Sequence, residues 1–96
     1  MLLRDKVIVV TGGGNGIGAA LCRRFTAEAP RGIVVADVDT ASAEGVAAEV
    51  GGLAVPTDVS VEAAVARLVA RANDAYGPID LFCSNAGIFG DEGGPW

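Results

Sequence analysis

Glycine dominates a short stretch near the start of the chain, where residues 11–18 read Thr-Gly-Gly-Gly-Asn-Gly-Ile-Gly. An apolar run precedes this stretch and a segment with helical periodicity follows it, which predicts a strand, a tight turn and a helix. A turn without side chains lets backbone N–H groups approach an anion, and the start of the helix adds its positive end. The stretch therefore predicts an anion site of the kind that holds nucleotides.

The spacing of the glycines separates two kinds of nucleotide site. A loop that binds triphosphates needs Lys-Ser/Thr directly after its last glycine, and two alanines stand there instead. Triphosphate hydrolysis is therefore not expected. The dinucleotide pattern Gly-x-Gly-x-x-Gly/Ala fits loosely at Gly14, Gly16 and Ala19. The pattern Thr-Gly-x-x-x-Gly-Ile-Gly describes the stretch better, with its glycines at Gly12, Gly16 and Gly18. A glycine turn taken alone can also be a tight connection without a ligand.

Asp37 ends the second apolar run, about 20 residues beyond the glycine turn, which is the usual distance to the acidic residue that binds the ribose of a dinucleotide. A carboxylate accepts hydrogen bonds from ribose hydroxyls and repels a 2′-phosphate. No basic residue offsets that repulsion, because Asn15 lies in the turn and Val38 follows Asp37. The sequence therefore favours NAD over NADP. The alternative, a solvated loop aspartate or helix cap, suits Asp39 better.

Short apolar runs alternate with amphipathic segments along the whole chain. This alternation predicts right-handed crossovers and a parallel sheet, and thus an α/β fold. We expect Asp39 or Thr40 to cap the second helix, Ser60 to cap the third, and glycines to end both. The predicted strands cover residues 6–10, 33–36, 53–55 and 79–83. The predicted helices run over residues 19–29, from the cap at residue 39 or 40 to residue 50, and from residue 61 to about residue 76.

Loops rich in Gly, Asp, Asn or Thr follow each of these strands. Ligands of open parallel sheets bind at the carboxyl ends of the strands. We therefore expect the loops to share one edge of the sheet and to form one site. They comprise residues 11–18, 37–39, 58–59 and 85–87.

The charge balance argues against several classes of partner. The chain has 96 residues, with 7 basic and 12 acidic residues and a net charge of −5, so nucleic acid and anionic membrane surfaces are poor candidate partners.

The chain has no histidine and only two cysteines, Cys22 and Cys83, which we interpret as small core residues and not as a metal site. No apolar run approaches membrane-spanning length, and charge follows the start too soon for a signal peptide, so we expect a cytoplasmic protein.

Taken together, these motifs resemble the short-chain dehydrogenase/reductase family. Thr11-Gly12-x-x-x-Gly16-Ile17-Gly18, Asp37, Asp58-Val59 and Asn85-Ala86-Gly87 fall in the order and at the spacing of that family, from about Lys6 onward. The resemblance implies a Rossmann-type doubly wound parallel sheet, here with strand order 3-2-1-4. It also implies that the protein binds NAD or NADP and transfers hydride to or from an alcohol or carbonyl carbon.

The family also implies a role for each matching residue. Residues 11–18 would wrap the pyrophosphate and the adenosine ribose, and Asp37 would hold that ribose. Asp58 would accept a hydrogen bond from the adenine amino group, and Val59 would flank the ring. Asn85-Ala86-Gly87 would line the middle of the cofactor, and Ser84 stands directly before them, where relatives more often have asparagine. The predicted cofactor-binding residues are Thr11, Gly12, Asn15, Gly16, Ile17, Gly18, Asp37, Asp58, Val59, Asn85, Ala86 and Gly87.

Catalysis in this family resembles general acid–base chemistry by a tyrosine whose pKa is lowered by a lysine four residues later. The one tyrosine here is Tyr76, and Asp80 stands four positions after it, so we predict a packing role for Tyr76 and assign no catalytic residue. We expect residues 1–96 to be the NAD-binding half-domain of a longer oxidoreductase. Residues 1–96 alone are expected to be inactive. The longer protein is expected to be a homo-oligomer that acts on an unidentified small molecule. The alternatives are a non-catalytic nucleotide-binding module complete at Trp96 and a different Rossmann-like enzyme, such as a methyltransferase.

Overall fold

The structure, a computed structural model, describes residues 3–84, which form a four-stranded parallel sheet with three helices. All strand pairs are parallel and the strand order is β3-β2-β1-β4, which confirms the predicted doubly wound α/β fold. Within these residues the elements are β1 (Val7–Thr11), α1 (Gly16–Thr26), β2 (Gly32–Asp37), α2 (Thr40–Val50), β3 (Leu53–Pro56), α3 (Glu62–Tyr76) and β4 (Leu81–Ser84).

The two central strands are buried on both faces, as their continuous apolar runs predict. Because side chains alternate along a strand, Ile8 and Val10 enter one core with α1 and α2, whereas Val9 enters a second core with α3. Leu68 is the largest fully buried residue of α3 in that second core. Helices on both faces thus hold the sheet between two apolar layers.

Helix α2 has the end signals that the sequence predicts. The Asp39 side chain accepts a hydrogen bond from the Ser42 N–H at 3.1 Å, and this bond holds the pKa of the Asp39 carboxyl below its usual range. Gly51 ends the helix in the left-handed conformation, with φ of 70°. The helix is therefore fixed at both ends by local sequence.

The structure corrects several predicted boundaries. Helix α1 begins at Gly16 and not at residue 19. Gly16 and Gly18, which the sequence placed in the glycine turn, therefore lie at the start of the helix. Val61, and not Ser60, is the N-cap of α3, because the N–H and hydroxyl of Ser60 both bind the carboxylate of Asp58. Strand β1 begins at residue 7 instead of 6, and β4 at residue 81 instead of 79.

Asp80 joins the start of β4 to the start of β1. The buried Val7 N–H donates to Asp80 Oδ2 at 2.8 Å, and the Asp80 N–H donates to the Val7 carbonyl at 2.9 Å. Asp80 therefore binds Val7 through one backbone bond and one side-chain bond, directly before the first residue of β4.

Replacing Asp80 by alanine should lower the free energy of unfolding by about 1–3 kcal/mol, because it leaves the Val7 N–H buried without an acceptor. Asp80→Asn keeps an oxygen at the same position and should recover most of the loss. Urea unfolding of the intact protein, followed by circular dichroism, measures both variants. Equal losses for alanine and asparagine would show that the hydrogen bond is not the source of the effect.

Candidate functional site

The predicted binding residues that the structure describes lie at the carboxyl edge of the sheet, because all of its strands run in one direction. Thr11 ends β1, Asp37 ends β2, and Asp58 follows the end of β3. The structure therefore brings together loops that the sequence separates widely. Asn85, Ala86 and Gly87 lie outside the described residues, which end at the last residue of β4.

The glycine turn between β1 and α1 is tied to the neighbouring strands. The buried Thr11 hydroxyl donates to the Cys83 carbonyl at 3.3 Å, and the Gly13 N–H donates to the Ala36 carbonyl at 3.0 Å. Gly12 and Gly16 have positive φ values of 66° and 55°, which side chains rarely adopt. These two glycines reverse the chain so that the start of α1 faces back toward the sheet edge.

Gly18 sets how closely α1 approaches this turn. A Cβ atom at Gly18 would overlap the Gly12 carbonyl and would lie 2.8 Å from the Gly13 Cα. Backbone therefore packs directly on backbone at this position, with no space for a side chain. The close approach places the N-terminal end of the helix against the loop that must hold an anion.

The first turn of α1 is suited to an anion. Its N-cap, Asn15, has extended backbone and makes no side-chain capping bond, and the first turn contains no acidic residue. The first N–H groups of a helix lack partners within the helix, so this end carries partial positive charge. Asn15, Gly16 and Ile17 are all exposed, which leaves this positive end open to a ligand.

Asp37 contacts three parts of the edge. Its Oδ2 accepts the Gly14 N–H at 3.0 Å and its Oδ1 accepts the Asp39 N–H at 3.1 Å. Its backbone carbonyl accepts the Thr57 N–H at 2.9 Å. Sequence reasoning missed Thr57, a buried polar residue whose position directly after the third strand was its only signal. Asp37 thus lies at the junction of the glycine turn, the start of α2 and the end of β3.

Asp58 and Val59 form the far side of the edge. The Asp58 carboxylate accepts the Ser60 hydroxyl at 2.6 Å and its N–H at 3.0 Å, and these bonds lower the pKa of the carboxyl. Val59 is 37% exposed and Val38 is 67% exposed, so apolar surface lies beside the carboxylates. The loops 11–18, 37–39 and 57–60 contain no Lys or Arg. This edge is therefore acidic and apolar, except at the start of α1.

The two cysteines and the tyrosine are packing residues, as predicted. Cys22 is fully buried and burial raises the pKa of its thiol to about 11, which keeps it protonated at neutral pH. Cys83 packs against the same core, where burial also raises the pKa of its thiol. The Tyr76 ring packs on the core between the sheet and α3.

Residues 3–84 contain no cluster of three or more side chains that could bind a metal ion. None of their helices combines the length and the apolar character needed to cross a membrane. The carboxyl edge of the sheet is therefore the candidate site of this part of the chain.

A family model described as short chain dehydrogenase matches residues 6–95. The chain belongs to the short-chain dehydrogenase family. It is 42% identical over 100 residues to 1-deoxy-11-beta-hydroxypentalenate dehydrogenase of Streptomyces exfoliatus, covering 99% of this chain and 36% of the relative. The identification agrees with the resemblance drawn from the glycine turn and the loops that follow the strands.

Solved structures of this family superpose well on the chain. A 3-ketoacyl-(acyl-carrier-protein) reductase from Brucella melitensis complexed with NADH is 38% identical, with a TM-score of 0.80, covering 83% of this chain and 33% of that one. A short chain dehydrogenase/reductase from Burkholderia phymatum in complex with NAD is 30% identical, with a TM-score of 0.82, covering 85% and 31%. The chain spans about a third of the length of the pentalenate dehydrogenase and of these two solved structures.

Proposed function

We propose that this chain is the cofactor-binding part of an NAD-dependent oxidoreductase, which transfers hydride between the nicotinamide and an alcohol or carbonyl substrate. Membership of the short-chain dehydrogenase family supports the oxidoreductase class. The observation that carries the choice of NAD is the position of Asp37, beside the glycine turn on an edge whose loops lack Lys and Arg. When bound, the nicotinamide would donate or accept the hydride.

The described residues fit the pyrophosphate of a dinucleotide. The start of α1 has no side-chain cap. The absence of a Cβ atom at Gly18 lets this end of the helix pack against the glycine turn, and a Cβ atom there would push the helix away. Backbone N–H groups at the start of α1 would therefore bind the pyrophosphate oxygens, while the Gly13 and Gly14 N–H groups stay bound within the protein. Thr11, Gly12, Asn15, Gly16 and Ile17 complete the proposed wall of the site.

The adenosine end is the part of the site that selects NAD. Asp37 would accept hydrogen bonds from the ribose hydroxyls, and a 2′-phosphate there would face both Asp37 and Asp39 with no cation in these loops to neutralise it. Asp58 would accept from the adenine amino group, with Val59 against the ring. Asn85, Ala86 and Gly87 remain proposed contacts to the middle of the cofactor.

The catalytic groups are proposed to lie outside this chain, because its tyrosine packs in the core and no lysine follows four residues later. In this proposal residues 1–96 are the NAD-binding half of a longer domain and are inactive alone. The intact protein would be a cytoplasmic homo-oligomer that acts on a small molecule and binds neither nucleic acid nor membrane.

Calorimetric titration of the intact protein with NAD and NADP tests the proposal. Wild type should prefer NAD, and Asp37→Ala should weaken NAD binding by about 10- to 100-fold, since charge-assisted hydrogen bonds are lost. The affinity of Asp37→Ala for NADP should fall less than its affinity for NAD, so the ratio of the two affinities should be smaller than in wild type. Asp74→Ala removes an exposed carboxylate from α3, away from this edge, and serves as the matched control.

Two results would contradict the proposal. Wild-type protein that binds NADP as tightly as NAD would refute the cofactor assignment. Tight binding of S-adenosylmethionine without dinucleotide binding would favour a methyltransferase instead.

A further inference from the structure

We propose that Asp37 is also a positioning residue, which holds the glycine turn in its binding geometry through the Gly14 N–H before any cofactor arrives. This inference rests on the proposed function, in which the turn binds the pyrophosphate and Asp37 binds the ribose. It connects the two parts of the site through one hydrogen bond. The Asp37 side chain, which is proposed to select NAD, would also fix the shape of the glycine turn that binds the pyrophosphate.

The hydrogen bonds along β1 and β2 lead to this role. The last backbone rung between the two strands joins the Gly13 N–H to the Ala36 carbonyl at 3.0 Å. Successive carbonyls of a strand point to opposite sides, so the next one, that of Asp37, faces β3 and accepts the Thr57 N–H. The Asp37 carboxylate binds on the side of β1 and accepts the Gly14 N–H at 3.0 Å. A side chain therefore binds the glycine turn directly after the last backbone bond between β1 and β2.

Packing around Gly14 makes this bond costly to lose. Gly14 is buried, and a Cβ atom there would lie 2.8 Å from the Ser42 Cβ and 2.9 Å from the Ala43 nitrogen. The turn is thus pressed against the first turn of α2. A buried N–H without an acceptor is strongly unfavourable, so removal of the carboxylate should loosen the turn until the Gly14 N–H finds water or another acceptor.

The carboxylate itself is held from a second direction. Its other oxygen accepts the Asp39 N–H, and Asp39 in turn caps α2 through the Ser42 N–H. The two oxygens of a carboxylate offer about four acceptor positions, and the residues from 3 to 84 use one on each oxygen. The remaining positions can accept ribose hydroxyls while Gly14 stays bound, so both roles are compatible.

A ligand without ribose hydroxyls separates the two roles. The probe is an NAD analogue with 2′,3′-dideoxyadenosine, to which Asp37 cannot bind through a hydroxyl. The intact Asp37→Ala protein should bind this analogue about tenfold more weakly than wild type, the effect expected when a buried N–H loses its acceptor. Asp37→Asn should lose less than Asp37→Ala, because its amide oxygen can still accept the Gly14 N–H, although its amide nitrogen cannot accept the Asp39 N–H. Equal analogue binding by wild type and Asp37→Ala would overturn the proposal.

Amide hydrogen exchange without cofactor gives a second and independent test. In Asp37→Ala the Gly14 amide should exchange about tenfold faster than in wild type, whereas the Gly13 amide, which is bound to a backbone carbonyl, should be unchanged. Unaltered exchange at Gly14 would refute the positioning role whatever the ligand data. If the wild-type protein binds no dinucleotide, the proposed function fails, and the exchange result still decides whether Asp37 positions the turn.

Discussion

Gly18→Ala is expected to weaken NAD binding by about 100-fold, and to lower the free energy of unfolding by about 1–3 kcal/mol. The new Cβ would overlap the Gly12 carbonyl and crowd the Gly13 Cα, and these are backbone atoms that cannot rotate away. Helix α1 must then withdraw from the turn. Its N-terminal N–H groups would move with it, away from the proposed position of the pyrophosphate.

Two other glycines provide matched controls for this substitution. A methyl group added at Gly16 would meet no atom within 4 Å, but the backbone there has a positive φ of 55°, so Gly16→Ala should cost about 1–2 kcal/mol through backbone strain alone. Gly45 lies inside α2 with open space around it, so Gly45→Ala should stabilise the helix by about 0.5–1 kcal/mol and leave NAD binding unchanged. Calorimetry and urea unfolding of the intact variants measure both quantities. NAD binding by Gly18→Ala as tight as that of Gly45→Ala would contradict the close-packing argument.

The fold was predictable because its signals are local and repeated. Apolar runs without alternation indicated strands buried on both faces, and β1 and β2 are buried on both faces. Asp39 and Gly51 marked the ends of α2 because a capping carboxylate and a left-handed glycine act within a few residues of themselves. Pro56 is typical of a strand end or an edge position, and it is the last residue of β3, an edge strand of the described sheet.

The starts of α3 and α1 differ from the predicted ones for two different reasons. Ser60 is a good capping residue in isolation, but Asp58 binds its N–H and hydroxyl first and the helix begins later. Gly16 and Gly18 add no apolar side chain, so the predicted helix began at residue 19, after the glycine turn. Neither effect can be read from residue type and spacing alone.

The position of the candidate site followed from topology, whereas its internal bonds did not. Parallel strands predicted one edge for the loops that contain Asp37 and Asp58, and the structure places them there. The bond from Gly14 to Asp37 joins residues far apart in sequence, and no local pattern encodes it. Such contacts depend on how two helices and a turn pack together, which becomes definite only in three dimensions.

Gly32 and Tyr76 form another long-range pair of this kind, and Gly32→Ala is expected to lower the free energy of unfolding by about 3 kcal/mol. A Cβ atom at the start of β2 would overlap the ring of Tyr76 at the end of α3. The ring must leave its place on the core for the methyl group to enter. Urea unfolding of the intact variant measures the loss.

A double-mutant cycle shows whether the ring is the cause. Tyr76→Ala should cost about 3 kcal/mol through lost packing, and Gly32→Ala added to it should cost almost nothing more, because the space is then open. Additive losses would mean that the methyl group and the ring do not compete. Tyr76→Phe keeps the ring without its hydroxyl and should leave both stability and oxidoreductase activity unchanged. A large loss of activity in Tyr76→Phe, with stability preserved, would instead assign this tyrosine to catalysis.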